Sequence, residues 1–239
     1  MFFDKWLVGP ERKIWFILIF YFALFVGALK ILFGWILPLM LSCLTHCCCR
    51  GRQNLKKKYG REDGSTYAVV TGGSDGIGLE LCNQLAEHGF NICMISRNKD
   101  KIDLKIAEVA KKYPNIQTIG LQCDFSKLQS LAEYRDFVST SGLDKLDIGV
   151  LCLNAGVGFM GPIDLIKDDK FEAIWTVNGL HIVYLLKALV NQLMDRDTRA
   201  AILISSSIAA DCVMGGLASY SAVKTGISNW GESLHFELK

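Results

Sequence analysis

The sequence predicts an α/β fold in which a parallel β-sheet is covered by helices on both faces, preceded by an apolar helical segment. Three observations carry this. From Thr66 onward, short apolar, β-branched runs alternate with longer helical patterns. A glycine cluster, Thr71-Gly-Gly-Ser-Asp-Gly-Ile-Gly78, follows the first of those runs directly. Between Ile14 and Leu41 the single charged residue is Lys30. Nearly continuous apolar strands, as opposed to alternating ones, are buried on both faces, which is the condition of a parallel sheet.

The apolar stretch comes first. About 20 residues suffice to cross a bilayer, and this run exceeds that, so a single helix must tilt or let Lys30 reach an interface. Two shorter passes are the alternative, broken near Gly27–Lys30 or Gly34–Pro38. A secretory signal peptide fits poorly, because the run is too long and the strongest basic cluster follows it. That cluster is Arg50, Arg52, Lys56, Lys57, Lys58 and Arg61. Residues 1–61 carry ten Lys/Arg against Asp4 and Glu11, a net of +8 within a chain whose total is +2. The positive-inside rule then places the body on the cytosolic side, although Lys5, Arg12 and Lys13 compete from the other flank. The basic run also suits anionic lipid head groups. A nucleic-acid partner is not expected, since the body beyond it is acidic. The organisation expected is an anchor over 1–45, a basic linker over 46–65 and a folded body over 66–239.

Cys43, Cys47, Cys48 and Cys49 at this edge are candidates for palmitoylation. Adjacent cysteines lack the spacing of a structural zinc site, and no metal is expected. Cys82, Cys93, Cys123, Cys152 and Cys212 fall singly in apolar surroundings and are expected as buried small hydrophobes in a reducing compartment.

In the body, Tyr67–Thr71 reads as a first strand and Ile77–His88 as its helix. Asn91–Ser96 is a second strand, followed by a helix over Lys99–Lys112 that Pro114 ends. A third strand spans Thr118–Gln122, with helix signal over Leu128–Val138. A fourth strand covers Asp147–Leu153. A long helix then runs over Asp169–Met194, a fifth strand over Ala200–Ser205, and a last helix over Ser219–Phe236. Right-handed crossovers leave the ligand crevice at the carboxyl ends of such strands.

Glycines after the first strand permit a tight turn and close approach of backbone to a pyrophosphate at a helix start. Their position favours cofactor binding over a structural turn. The second strand ends at Ser96-Arg97. A carboxylate there would hold the ribose hydroxyls of NAD, whereas an arginine accepts a 2′-phosphate, so NADP(H) is the expected cofactor. Asp75 argues the other way, because a basic residue in that turn would have helped hold the phosphate. Asp124 after the third strand either accepts from an adenine amino group or caps the turn ahead of Ser126.

Tyr220 and Lys224 lie one helical turn apart on one face of the last helix. Near a nicotinamide, the ammonium and the helix amino end favour the phenolate. The phenol can then deliver a proton to a carbonyl oxygen or remove one from an alcohol. Ser205, Ser206 and Ser207 at the end of the fifth strand are placed to donate to the same oxygen.

These elements resemble the short-chain dehydrogenase/reductase family, across residues 66–239. Thr71–Gly78 is similar to its Thr-Gly-x-x-x-Gly-x-Gly motif, Asn154-Ala155-Gly156 to its Asn-Ala-Gly element, and Tyr220-Ser-Ala-Val-Lys224 to its Tyr-x-x-x-Lys. The resemblance implies a Rossmann-like fold and a catalytic set of Tyr220, Lys224, Ser207 and Asn178. Ser207 is preferred among the three serines because the family's serine usually precedes the tyrosine by 13 residues. Asn178 falls at the asparagine that holds a water in the relay to lysine. Cofactor contacts are implied for Gly72, Ser74, Asp75, Gly76, Ile77, Gly78, Arg97, Asp124, Asn154, Ala155 and Gly156, and for Tyr220 and Lys224.

Within the family, the apolar leader, Ser74–Gly78 and Ile95-Ser-Arg97 resemble the 17β-hydroxysteroid dehydrogenase and 3-oxoacyl-CoA reductase group. That implies NADP(H), attachment to the endoplasmic reticulum, and a lipidic substrate, either a steroid ketone or a 3-oxoacyl-CoA. Retinoid and 3-ketosphinganine reductases are alternatives. Leu153-Asn-Ala-Gly156 departs from the Asn-Asn-Val-Gly of many relatives. The long helices offer a homodimer interface. The family pattern continues past Lys224 into a sixth strand, a substrate-covering loop and a seventh strand. The resemblance therefore implies a body truncated at its C-terminus, read either as part of an active reductase or as a catalytically impaired, membrane-tethered cofactor-binding or interaction protein.

Overall fold

The computed structural model describes residues 10–48 and 54–238. The chain divides into two compact units, residues 1–53 and 54–239.

The first unit is a continuous helical run: α1 (Pro10–Ile31), a π turn (Leu32–Ile36) and α2 (Leu37–Cys48). The helix passes unbroken through Gly27–Lys30, and the π turn, which includes Gly34, ends just before Leu37 and Pro38 of α2. Pro38 has no N–H and its ring crowds the carbonyl four residues back, and an added residue in the preceding turn relieves both. Ile17–Cys43 has a mean hydropathy of 2.3 and none of it is buried. A helix apolar on all sides suits an apolar surrounding better than water. Cys43 is exposed. Lys5, Cys49, Arg50 and Arg52, and the side chains of Arg12, Lys13, Cys47 and Cys48, lie outside the described residues.

The second unit begins at Asn54, upstream of the expected boundary at 66. A short helix, α3 (Leu55–Tyr59), leads into β1 (Tyr67–Thr71), α4 (Gly76–Glu87), β2 (Asn91–Ser96), α5 (Lys99–Lys112) and β3 (Thr118–Gln122). Then follow α6 (Leu131–Ser141), β4 (Ile148–Leu153), α7 (Asp168–Trp175), α8 (His181–Met194), β5 (Ala201–Ile204) and α9 (Ala218–Glu237). The sheet is fully parallel, in the order β3-β2-β1-β4-β5. Strand order reverses between β1 and β4, and Thr71↔Ile95 and Leu153↔Ile204 bring the carboxyl ends level on either side of that point. Such a switch point opens a crevice between two divergent crossovers.

Side chains alternate across the pleat of β1. Val69 joins an apolar cluster with Tyr134 of α6, Leu185 and Leu189 of α8 and Val223 of α9. Ala68 and Val70 join the opposite one, with Cys82 and Leu85 of α4 and Ile102 of α5. The run Asp168–Met194 is also long and apolar enough to cross a bilayer, but half of its most apolar stretch is buried, as befits helices packed on a sheet.

Three expectations change. The single helix expected over 169–194 divides into α7 and α8 at a π turn over Thr176–Leu180. The helix expected from Leu128 starts at Leu131, because Ser130 and Glu133 form a reciprocal capping box that fixes its first turn. Cys212 is exposed, in the loop between β5 and α9, whereas Cys82, Cys93, Cys123 and Cys152 are buried as expected. Burial pushes the thiols of those four up to about 12.

At the amino ends of the strands, Asp147 gathers a polar cluster. Its carboxylate accepts from Thr66 Oγ1 at 2.6 Å and from Arg196 Nη1, and Arg61 Nε lies 3.1 Å away. Arg196 Nη2 also donates to Tyr59 O at 2.9 Å, and Lys56 Nζ donates to Gly89 O. These bonds seat α3 beneath the sheet, at the end remote from the crevice.

Candidate active site

The crevice at the carboxyl ends of the strands is a cleft of about 980 Å³. One end is built by the β1–α4 turn. Gly72 has φ +68°, and a Cβ on it would lie 3.0 Å from Ala155 Cα. A Cβ on Gly78 would lie 2.2 Å from Gly72 O and 2.7 Å from Asn154 Nδ2. Both positions therefore require glycine, one for its backbone conformation and one for close packing of the helix start. Gly72, Ser74, Asp75, Gly76 and Ile77 line the cleft, while Gly78 lies behind them. Ile77 is 72% exposed there, unusual for an isoleucine in a folded body.

Ser74 Oγ of the turn and Ser96 Oγ are 2.7 Å apart, joining the turn to the end of β2. Arg97 is exposed at the cleft edge. Asp75 caps α4, accepting from Gly76 N at 2.8 Å, and is paired with Lys101 of α5. The Lys101 ammonium, and after it the Gly76 amide, hold the Asp75 carboxyl below the usual carboxylate range. Lys101 was not among the sequence candidates. From the first turn of α5 it compensates the acidic residue that had argued against a phosphate. Asp124 lines the same cleft and accepts from Ser126 N and Ser126 Oγ through one carboxylate oxygen. It caps the turn and faces the cleft together.

The floor is a junction between strands. Thr71 Oγ1 accepts from Asn154 N at 2.9 Å and Ala155 N at 3.0 Å. Asn154 Nδ2 donates to Thr71 O, and Asn154 Oδ1 accepts from Ser205 Oγ at 3.0 Å. β1, β4 and β5 are thus tied at one level. Ala155 and Gly156 line the cleft beside this junction.

At the other end stand Tyr220 and Lys224 of α9, both in the cleft wall. Lys224 is 3% exposed and donates to Ser205 O at 2.8 Å, and its nitrogen lies 5.8 Å from the centre of the Tyr220 ring. Burial lowers its pKa. Asn178 is fully buried behind the wall, in a π turn (Thr176–Leu180) that links α7 to α8. Its side chain brackets Val157, accepting from Val157 N at 3.2 Å and donating to Val157 O at 2.8 Å.

The three serines diverge. Ser205 is held by Asn154, and Ser206 pairs with Ser228 Oγ; both line the cleft. Ser207 caps a short turn by accepting from Ala209 N at 3.2 Å. An accepting hydroxyl retains its own proton for donation. Tyr220, Lys224 and the glycine turn are therefore brought to one cleft and Asn178 stands behind it, whereas Ser207, unlike Ser205 and Ser206, is not among the residues that line it.

Residues 66–239 match the short chain dehydrogenase family. The chain belongs to the short-chain dehydrogenase/reductase family. Among its relatives are the very-long-chain 3-oxoacyl-CoA reductases of Podospora anserina, 34% identical over 184 residues (76% of this chain and 52% of the relative), and Aspergillus niger, 34% identical over 176 residues (73% and 50%). The chain spans about half the length of these curated relatives. Among solved structures, a 7β-hydroxysteroid dehydrogenase aligns with a TM-score of 0.66 at 25% identity, over 77% of this chain and 67% of the other. A short-chain dehydrogenase from Sphingobium yanoikuyae in complex with NADPH aligns at 0.63 and 23% identity, over 72% and 65%, which bears on the fold alone.

Proposed function

We propose that this short-chain dehydrogenase/reductase chain carries the site of an NADP(H)-dependent oxidoreductase that interconverts a ketone and a secondary alcohol on a lipidic substrate. The carrying observation is that one cleft holds a glycine turn at one end and Tyr220 with Lys224 at the other.

The residues fit the cofactor. The turn is shaped so that a Cβ at Gly72 or Gly78 would close it, which suits close approach of a pyrophosphate to backbone amides at the start of α4. Arg97 and Lys101, beside the Ser74–Ser96 hydroxyl pair, suit a 2′-phosphate and favour NADP(H) over NAD(H). The bound nicotinamide would supply or accept the hydride. Tyr220 gives its phenolic proton to the substrate oxygen on reduction and takes one back on oxidation. Lys224, oriented by Ser205 O, favours the phenolate and is placed to hold the ribose. Ser207 donates its hydroxyl to the substrate oxygen, and Asn178 completes the proton path behind the wall.

A 3-oxoacyl-CoA is the preferred substrate, on the likeness to the fungal reductases, with a steroid ketone second. The apolar helix over Ile17–Cys43 supports a membrane address, which we assign to the endoplasmic reticulum with the body on the cytosolic side. The test is NADPH oxidation by the full chain in detergent with each substrate class, alongside NADPH binding by fluorescence. Tyr220→Phe is expected to reduce turnover by roughly 10²-fold or more while NADPH still binds. Unchanged turnover in that variant would overturn the mechanism, and well-folded protein that neither binds nor oxidises NADPH would overturn the enzyme reading.

A further inference from the structure

We propose that His181 is a positioning residue that holds open the π turn from which Asn178 reaches Val157. The role assigned to Asn178 rests on the proposed function; the geometry of the turn does not. A π turn takes its backbone bonds one residue further back than an α-helix, and such turns are disfavoured unless side chains satisfy the carbonyls displaced from the ladder. Here the His181 backbone N–H reaches Thr176 O, five residues back. Val177 O, four residues back, receives the imidazole instead, with Nδ1 3.0 Å away.

Asn178 Nδ2 also donates to a carbonyl four residues back, Ile174 O at 2.9 Å, while Thr176 Oγ1 adds a bond at 3.0 Å to Glu172 O, which the Thr176 backbone N–H already reaches. The His181 ring is also anchored from outside its own helix. Its ring stacks on Phe125, 4.1 Å between centroids, and is fully buried. Phe125 lies just after β3 in a turn whose cap is Asp124.

The tautomer follows from the partner. A carbonyl can only accept, so Nδ1 carries the proton and Nε2 is left as a bare acceptor. Nε2 has no hydrogen-bond partner among the described residues. A ring that spends its donor on Val177 O and leaves its acceptor unpaired in the core is fitted to that one bond. Gly156 bears on the same arrangement, since a Cβ there would lie 2.8 Å from Asn178 Oδ1. Gly156 therefore leaves room for Asn178 Oδ1 on the cleft side, and the turn that His181 maintains holds it from the helix side.

The test separates donor from ring in the full chain without substrate. His181→Phe keeps an aromatic ring against Phe125 and removes the donor; His181→Asn keeps a donor near the Nδ1 position and removes the ring. Amide hydrogen exchange at Val157 and over 176–181 is the first readout, since the Val157 amide reports Asn178 directly. Loss of one hydrogen bond predicts exchange roughly fivefold to tenfold faster in the Phe variant, with near-native protection in the Asn variant. The second readout is turnover, where the Phe variant is expected to lose about tenfold in kcat at unchanged KM, restored by Asn. Native protection in the Phe variant, or equal loss in both, would overturn the proposal. Should the Phe variant fail to fold, His181→Leu against His181→Asn gives the same contrast. Absence of turnover in the unmodified chain would count against the proposed function and leave the exchange result standing.

Discussion

Removing the Asp147 carboxylate tests whether α3 is part of the fold. Asp147→Asn retains size but withdraws the charge facing Arg196, whose side chain is 3% exposed, while Asp147 itself is 15% exposed. Stripping one partner from a buried ion pair typically costs about 3–5 kcal/mol, and the partial exposure of Asp147 places this case near the lower end, at about 3 kcal/mol. For a body of this size, each kcal/mol moves the melting temperature by about 2–4 °C, so a fall of roughly 6–12 °C is expected. Arg196 also donates to Tyr59 O, so trypsin cleavage at the exposed Lys57 and Lys58 should accelerate with it. Thermal denaturation by circular dichroism and a trypsin time course read both effects. A double-mutant cycle with Arg196→Met completes the assay, the double variant losing less than the sum of the singles. A melting change below about 1 °C with an unchanged cleavage rate would refute the clamp.

Gly78→Ala places a methyl where Gly72 O stands 2.2 Å away, so the start of α4 must move; NADPH affinity is expected to fall by roughly tenfold or more, read by fluorescence titration. Arg97→Ala should weaken NADPH binding by roughly 10- to 100-fold and leave NADH nearly unchanged, because a charge-assisted bond to a phosphate is worth about 1.5–3 kcal/mol. Burial depresses the pKa of His181 from 6.5 to about 4, with Lys224 opposing its protonation as well. Its contribution to stability is therefore present above pH 6.5 and is lost as pH falls toward 4. Between pH 7.5 and 5 the body should lose about 2 kcal/mol from this group, and His181→Phe should flatten the denaturant-derived stability profile over that window. In native protein, thiol reagents at pH 7.5 should modify the exposed Cys212 well before the buried Cys82, Cys93 and Cys152, as mass spectrometry would show.

Strand positions were legible because nearly continuous apolar runs have few other uses at lengths of four to six residues. The motif residues were legible too, and the cleft gathers Gly72, Tyr220 and Lys224 as the pattern implied. The missed features are those that leave no period in the sequence. A π turn inserts one residue into an apolar helix without changing its composition, so the run over 169–194 read as one helix. Lys101 was hidden because its partner, Asp75, lies on a different element. The Ser130–Glu133 cap was readable as Ser-x-x-Glu, but the apolar residue at Leu128 drew the helix start forward. The seating of α3 was obscured by its lysines, which resemble a solvated linker until Lys56 is seen against Gly89 O.

The Thr71 hydroxyl, accepting two amides of the β4 turn while Asn154 receives Ser205, acts as a spacer of fixed dimensions. The gap between the glycine turn and the β5–α9 wall is set by these bonds, not by either loop. Misregistration at this one hydroxyl would travel to both ends of the cleft together. Thr71→Val would then present in kinetics as a defect in chemistry, although the residue is placed to touch neither reactant.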